Sequence, residues 1–122
     1  MIVRAGPATW QDIRVQYSAR MSTFLVLLHQ SGPAWLPSRR LEEQSGWQEH
    51  AAFMDALVDS GVVVLGGPVS DDGRVMLVVE AESAGAAEAA LAPDPWAGSH
   101  LVPGWIEPWT IRLDGRRVRP AR

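Results

Sequence analysis

The order of the secondary-structure signals along the chain constrains its fold more than any other feature. Residues 24–30 (FLVLLHQ) form a short, continuous apolar run that is typical of a buried strand. Residues 46–60 read as a helix, and Gly61 directly after them is a typical helix stop. Further strands are predicted at 62–65, 74–82 and 105–113, and a second helix at 83–91. The chain therefore alternates its elements in the order β-α-β-β-α-β.

The turns and caps between these segments support that order. The Asp-Asp-Gly sequence at 71–73 is typical of a hairpin turn, and Ser83 can cap the second helix. The Gly-Gly-Pro sequence at 66–68 is predicted to end the second strand. Pro108 lacks an N–H group, which favours an edge position for the last strand. Together these features predict an α+β, ferredoxin-like βαββαβ fold with an antiparallel four-stranded sheet.

The predicted strands are apolar on both faces, which bears on assembly. In the third strand Val75 and Leu77 alternate with Met76 and Val78. Two helices cover only one face of a four-stranded sheet, so the other face needs a second cover. We expect a second copy of the chain to supply it, which predicts a homodimer with a large contact. The alternative is that the loop at 31–45 or the N-terminal arm folds over this face.

Length and composition favour one folded domain with two extensions. The chain has 122 residues, of which 47% are hydrophobic and 20% charged. A chain of this length can bury a hydrophobic core without disulfides or metal ions to stabilise it. The first apolar run opens at Phe24. We therefore expect residues 21–114 to form the domain, residues 1–20 to form an arm or leader, and residues 115–122 to form an Arg-rich tail.

Charge and hydropathy argue against several kinds of partner. The formal net charge of -3 gives no global attraction to nucleic acid or to an anionic membrane. No run of about twenty apolar residues exists that would span a bilayer. Residues 1–20 lack the apolar stretch of a signal peptide, so a cytoplasmic location is the default expectation. The chain has no cysteine, which excludes disulfides and sulfur-ligated zinc.

His50 is the candidate residue on which the chemistry depends. On the helix at 46–60 it shares an apolar stripe with Trp47 and Met54, so its side chain is predicted to face the sheet. A buried imidazole needs a polar partner. One interpretation is a core histidine bonded to a backbone carbonyl. The other is a general acid or base. Asp94, which lies between two prolines just after the second helix, is a second candidate residue, although it also suits a simple turn.

No cofactor motif accompanies these residues. The glycines at 66–67 match neither GxGxxG nor GxxxxGKS, so we expect no cofactor. His29 and His100 would make a metal set with His50 and Asp94, but their spacing matches no known motif and no metal is expected. The tryptophans near the last strand suit either core packing or an aromatic wall for a planar ligand. They are Trp96, Trp105 and Trp109.

Four short, separated motifs resemble those of the YCII-related (YciI-like) proteins. The motifs are Glu-His-Ala-Ala-Phe-Met at 49–54, Gly-Gly-Pro at 66–68, Asp-Pro-Trp at 94–96 and Glu-Pro-Trp at 107–109. Their order and spacing agree with the family over roughly residues 22–113. The chain departs from the family in having Gly66, where many relatives have alanine, and in its N-terminal arm and Arg-rich tail.

The resemblance implies a dimeric α/β barrel in which His50 and Asp94 form a His–Asp dyad near the dimer interface. It further implies a small, cofactor-independent enzyme of the lyase, isomerase or dehydrohalogenase type, which moves a proton on a small cyclic or aromatic substrate. The alternative is a non-catalytic, ligand-binding or regulatory dimer that uses the same pocket; a cofactor-free monooxygenase rests on fold analogy only. The residues expected to contact the substrate are Gly67, Pro68, Trp47, Trp96 and Trp109.

Overall fold

The computed structural model describes residues 21–116 of the chain. Its elements are strand β1 (Ser22–His29), a short 3-10 helix (Leu41–Glu43), helix α1 (Trp47–Asp59), strands β2 (Val63–Val69) and β3 (Arg74–Ala81), helix α2 (Ala84–Leu91) and strand β4 (Val102–Pro108). The predicted order of four strands and two helices is confirmed.

The four strands form one antiparallel sheet in the order β2-β3-β1-β4. The central strand β1 pairs with β3 on one side and with β4 on the other, so that Val26 lies opposite both Leu77 and Ile106. Strands β2 and β4 are the edges, which explains how each accommodates a proline without losing an interior hydrogen bond. This α+β architecture is compatible with the ferredoxin-like fold.

Local signals place both ends of helix α1. Gly46 precedes the helix with a φ of 72°, and its carbonyl accepts a hydrogen bond from the His50 N–H. At the other end Gly61 has a φ of 84°. Its N–H donates to the carbonyl of Val58, and the N–H of Val62 donates to that of Leu57. These two bonds make the Schellman motif that the glycine predicted.

The predicted ends of two strands are wrong. Strand β2 does not stop before the Gly-Gly-Pro sequence but continues through it, pairing Gly66, Gly67 and Pro68 with β3. An edge strand tolerates proline and glycine because only one of its sides is hydrogen-bonded within the sheet. Strand β4 begins at Val102 and ends at Pro108, so residues 109–113 lie beyond it.

The core lies between one face of the sheet and the two helices. Its buried residues come mainly from the two central strands and are joined by Ala87 of α2. Met54 and Leu57 of α1 and Leu91 of α2 pack against the same cluster, so both helices cover the same face. The buried members are Phe24, Val26, Val63, Leu77, Val79, Ala81 and Ala87.

Helix α1 packs loosely for an element of this length. None of its residues is fully buried, and Val58 is 51% exposed. Close packing normally seals the contact between a helix and a sheet. Here α1 contacts the core through only a few partly buried side chains, which leaves space between the helix and the sheet for the cavity described below.

The opposite face of the sheet carries the second apolar set. The strand register places Leu25, Leu27, Met76 and Val78 together on this face, and Leu65 pairs with Val78. Leu65 is 47% exposed. Residues 109–116 run beside this face and line, with Leu65 and Val78, a cavity of about 480 Å³. The loop at 31–45 packs elsewhere, against residues 96–100.

Residues 1–20 and 117–122 lie outside the described residues, so the predicted arm and most of the predicted tail remain predictions. Neither helix, nor any other helical stretch within residues 21–116, has the length and hydrophobicity needed to cross a bilayer.

Candidate active site

The side chain of His50 lies on the core side of α1, as its position in the helix predicted. It is 12% exposed and lines a large cavity between the helices and the sheet. Its Nδ1 atom lies 2.8 Å from Oδ1 and 3.0 Å from Oδ2 of Asp94. The imidazole therefore meets a carboxylate and not a backbone carbonyl.

Asp94 serves both as a turn residue and as the partner of His50. It follows α2, and its Oδ1 accepts a hydrogen bond of 2.9 Å from the backbone N–H of Trp96. Its backbone carbonyl accepts a second bond from the N–H of Ala97. These bonds fix the carboxylate, whose side chain is 6% exposed, in the orientation that reaches His50. The turn interpretation and the site interpretation of Asp94 are thus compatible.

The contact with the Asp94 carboxylate indicates which tautomer of His50 is present. An ionised carboxylate only accepts hydrogen bonds, so the Nδ1 atom of His50 carries the proton that it donates to Asp94. In the neutral imidazole the lone pair is then on Nε2. Nε2 makes no hydrogen bond within the described residues. This arrangement leaves a basic nitrogen free on a side chain that lines the cavity.

Trp96 lies between two histidines in a stack of three rings. Its centroid is 4.1 Å from that of His50, with the planes 6° apart, and 4.6 Å from that of His100, with the planes 16° apart. The edge of Trp35 completes the contact at 5.9 Å. Trp96 is only 1% exposed, and its indole N–H donates to the carbonyl of Ser45. We call His50, Trp96 and His100 the three-ring stack.

His100 is held by a hydroxyl on each nitrogen. Ser45 Oγ lies 3.0 Å from Nε2, and Ser99 Oγ lies 2.9 Å from Nδ1. Burial lowers the pKa of His100, and the nearby imidazole of His50 lowers it further, while Asp94 and Ser45 oppose the shift. His100 is therefore favoured in its neutral form.

The cavity beside His50 has a volume of about 1020 Å³. Its walls are mostly apolar and come from all four strands and both helices. Cavities of this size and character usually hold small organic ligands. His50 and Asp94 both belong to the wall, so the proposed acid–base pair is in contact with the space that a ligand would fill.

Most of the predicted substrate contacts lie at this cavity. Gly67, Pro68, Trp47 and Trp96 all line it together with His50.

Trp109 does not share this location. It borders the 480 Å³ cavity on the other side of the sheet and is 45% exposed. Its N–H still donates to the carbonyl of Thr23 in β1. Trp109 therefore continues the alternation of β4, in which Ile106 lies opposite Val26 on the helix side and Trp109 faces away from it.

Among the side chains of residues 21–116, no group of three or more His, Asp or Glu is arranged to hold a metal ion. His29 is paired with Arg74 and Val102 in the sheet, and His100 is occupied by two serine hydroxyls.

Two residues of the site were not found by sequence reasoning. Ser45 supplies both the acceptor for Trp96 and a hydroxyl for His100. Gln44, 3% exposed, ties the preceding loop together by bonds to the backbone of Leu36 and Arg39. A buried tryptophan predicts that some acceptor for its N–H exists, but only the path of the loop identifies the carbonyl.

Comparison of the chain with protein-family models, with curated proteins and with solved structures gives no significant match.

Proposed function

We propose that this protein is a small, cofactor-independent enzyme in which His50 acts as a general base on a small cyclic or aromatic substrate. The observation that carries the proposal is the contact of 2.8 and 3.0 Å between His50 Nδ1 and the carboxylate of Asp94 at the wall of a large apolar cavity. The carboxylate accepts the Nδ1 proton and holds the ring in one orientation. The four short motifs that resemble those of YCII-related proteins agree with this proposal, and membership of that family is part of what we propose.

The reaction class follows from what Nε2 can do. It would take a proton from carbon or oxygen of a bound substrate and return it at another position or lose it to solvent. Such steps are shared by isomerases, lyases and dehydrohalogenases. The stacked indole of Trp96 fixes the plane of the imidazole, so only the substrate has to be oriented before the proton is transferred.

The test uses a base-sensitive probe because no natural substrate is known. 5-Nitrobenzisoxazole is a neutral planar molecule. When a base removes its ring C–H proton, the N–O bond breaks and a coloured cyanophenolate forms. We expect the wild-type protein to accelerate this reaction, and His50→Gln and Asp94→Asn each to lower the rate about tenfold or more. Trp109→Phe, which lies outside the cavity, is the control and keeps the wild-type rate.

The alternative function is ligand binding without catalysis, which the size of the cavity alone would support. The same assay separates the two. A wild-type rate no higher than that of free imidazole at equal concentration, or an unchanged rate in His50→Gln, contradicts the enzyme and favours the binding protein.

We also propose that the chain forms a homodimer through the open face of the sheet, as in a dimeric α/β barrel. This proposal is supported by the partly exposed apolar side chains that share this face, Leu25 and Met76, and by the exposure of Leu65 and Trp105, 47% and 39%. An apolar surface of this kind on a sheet is normally covered in solution.

A further inference from the structure

The charged side chains around the His50 cavity are unevenly distributed. Among the lining residues that the structure describes, the acids are Asp94 and Glu88, and none is lysine or arginine. Glu88 projects from α2 and is exposed, so it lies at the rim, whereas Asp94 is buried. His50 is the one lining residue of the described part that can become cationic, and its Nδ1 already faces Asp94.

The helix N-termini do not compensate for the missing cations. A free helix N-terminus attracts anions through its unpaired N–H groups. The first turn of α2 is capped, because the Ser83 hydroxyl accepts from the N–H of Ala86. The first turn of α1 carries Glu49, whose charge opposes an incoming anion.

The polar groups that remain for a ligand are neutral. Gln30 and Trp47 line the cavity, and neither side chain makes a hydrogen bond within the described residues. They offer an amide and an indole N–H, and His50 offers the lone pair on Nε2. Such groups suit a hydroxyl or a carbonyl on an apolar body, and they would leave a carboxylate or phosphate without a counter-charge.

We propose that the ligand of this cavity is an uncharged, largely apolar ring compound with one or two hydroxyl or carbonyl groups, and that the site discriminates against organic anions. The inference rests on the proposed use of this cavity as the active site, but it concerns binding and does not require turnover. Its failure is therefore measured separately from failure of the probe reaction.

The test compares ligands of matched shape and different charge. Binding of 2-naphthol and 2-naphthoate to the full chain is measured by calorimetry at neutral pH. We expect naphthol to bind and naphthoate to bind at least about tenfold more weakly. Equal or tighter binding of naphthoate, or no binding of naphthol, would overturn the proposal.

Two variants test where naphthol binds and which charged residue weakens the binding of naphthoate. Met54→Trp enlarges a partly buried side chain on the cavity wall and should abolish naphthol binding; binding that persists contradicts the assignment of the cavity. Glu88→Lys should tighten naphthoate binding about two- to fivefold, since the rim charge is solvent-exposed. The matched control is Glu82→Lys, an exposed glutamate that does not line the cavity, and equal gains in both variants would exclude a local effect.

Discussion

At the scale of single residues, the site depends on a buried aromatic ring that stacks on two histidines with different hydrogen-bond partners. His50 and His100 stack on opposite faces of Trp96, but only His50 has a carboxylate partner. His100 has neutral hydroxyl partners, so its burial is not compensated by a charge in contact. The two imidazoles therefore differ in their polar contacts, although they share one indole.

The lowered pKa of His100 predicts an acid-sensitive fold. In the unfolded chain this histidine takes up a proton near its ordinary pKa of 6.5, whereas the folded state resists protonation. Between 6.5 and the lower folded pKa the unfolded state binds more protons, so the free energy of unfolding should decrease as the pH falls below about 6.5. Urea unfolding at a series of pH values measures this slope.

The matched comparison for this prediction is His100→Gln, which keeps a polar side chain but does not titrate. The variant is expected to be less stable near neutral pH, because two hydroxyls lose an imidazole partner. Its stability should also fall less steeply between about pH 7 and about pH 5. An identical slope in the variant and the wild type would show that another group causes the acid sensitivity.

The residues of the site were predictable to different degrees. Helical periodicity alone placed His50 on the core side of its helix. Asp94 suited a turn equally well from its sequence context, and only the resemblance to a known family paired it with His50. Ser45 and Gln44 depend on the route of a loop that has no periodic pattern, and nothing in the sequence specifies such a route.

At the scale of elements, helix α1 decides whether His50 reaches Asp94. The helix begins immediately after Gly46, whose left-handed φ of 72° turns the chain out of the loop and into the first turn. Residue 45 then presents its carbonyl to Trp96 and residue 50 its imidazole to Asp94. One backbone conformation thus sets the positions of two site contacts.

Gly46→Ala should therefore be destabilising. An alanine there would keep a left-handed conformation at a cost of about 1–2 kcal/mol, and its Cβ would lie 3.3 Å from Nε1 of Trp96. The matched control is Gly85→Ala inside α2, where φ is not positive and the nearest atom is Ser83 Oγ at 3.8 Å. That change should stabilise the protein by about 0.5–1 kcal/mol. Chemical unfolding of both variants tests the pair, and a stabilised Gly46→Ala would contradict the role given to the turn.

The ends of the strands were harder to predict than the strands themselves. Local signals read the Gly-Gly-Pro sequence at 66–68 as a stop, yet β2 passes through it. The deciding factor is its place at the edge of the sheet, where a proline loses no ladder bond, and this is known only once the strand order is known. The end of β4 was also misplaced, because the strand was predicted to continue to residue 113 and ends at Pro108.

At the scale of the whole molecule, the two faces of the sheet have different roles. One face supports both helices and encloses the cavity with His50. The other is apolar and is bordered by residues 109–116, which leave Leu65 and Trp105 exposed. The alternation in the sequence already predicted two apolar faces. Residues 109–113 were instead predicted as part of the last strand, so their position beside one of these faces was not predicted.

The proposed dimer leads to a prediction about mass in solution. Leu65→Lys places a charge on the open face, at the strand position opposite Val78. The side chain is 47% exposed in the single chain, so the fold should tolerate lysine, whereas burial in a dimer would leave the charge unpaired. We expect the wild type to have twice the mass of the chain in light scattering and Leu65→Lys to have the mass of one chain. Val58→Lys is the control, since Val58 is 51% exposed on α1, which covers the other face of the sheet, and this variant should remain a dimer. A wild-type monomer, or a dimer that survives Leu65→Lys but not Val58→Lys, would show that the open face is not the interface.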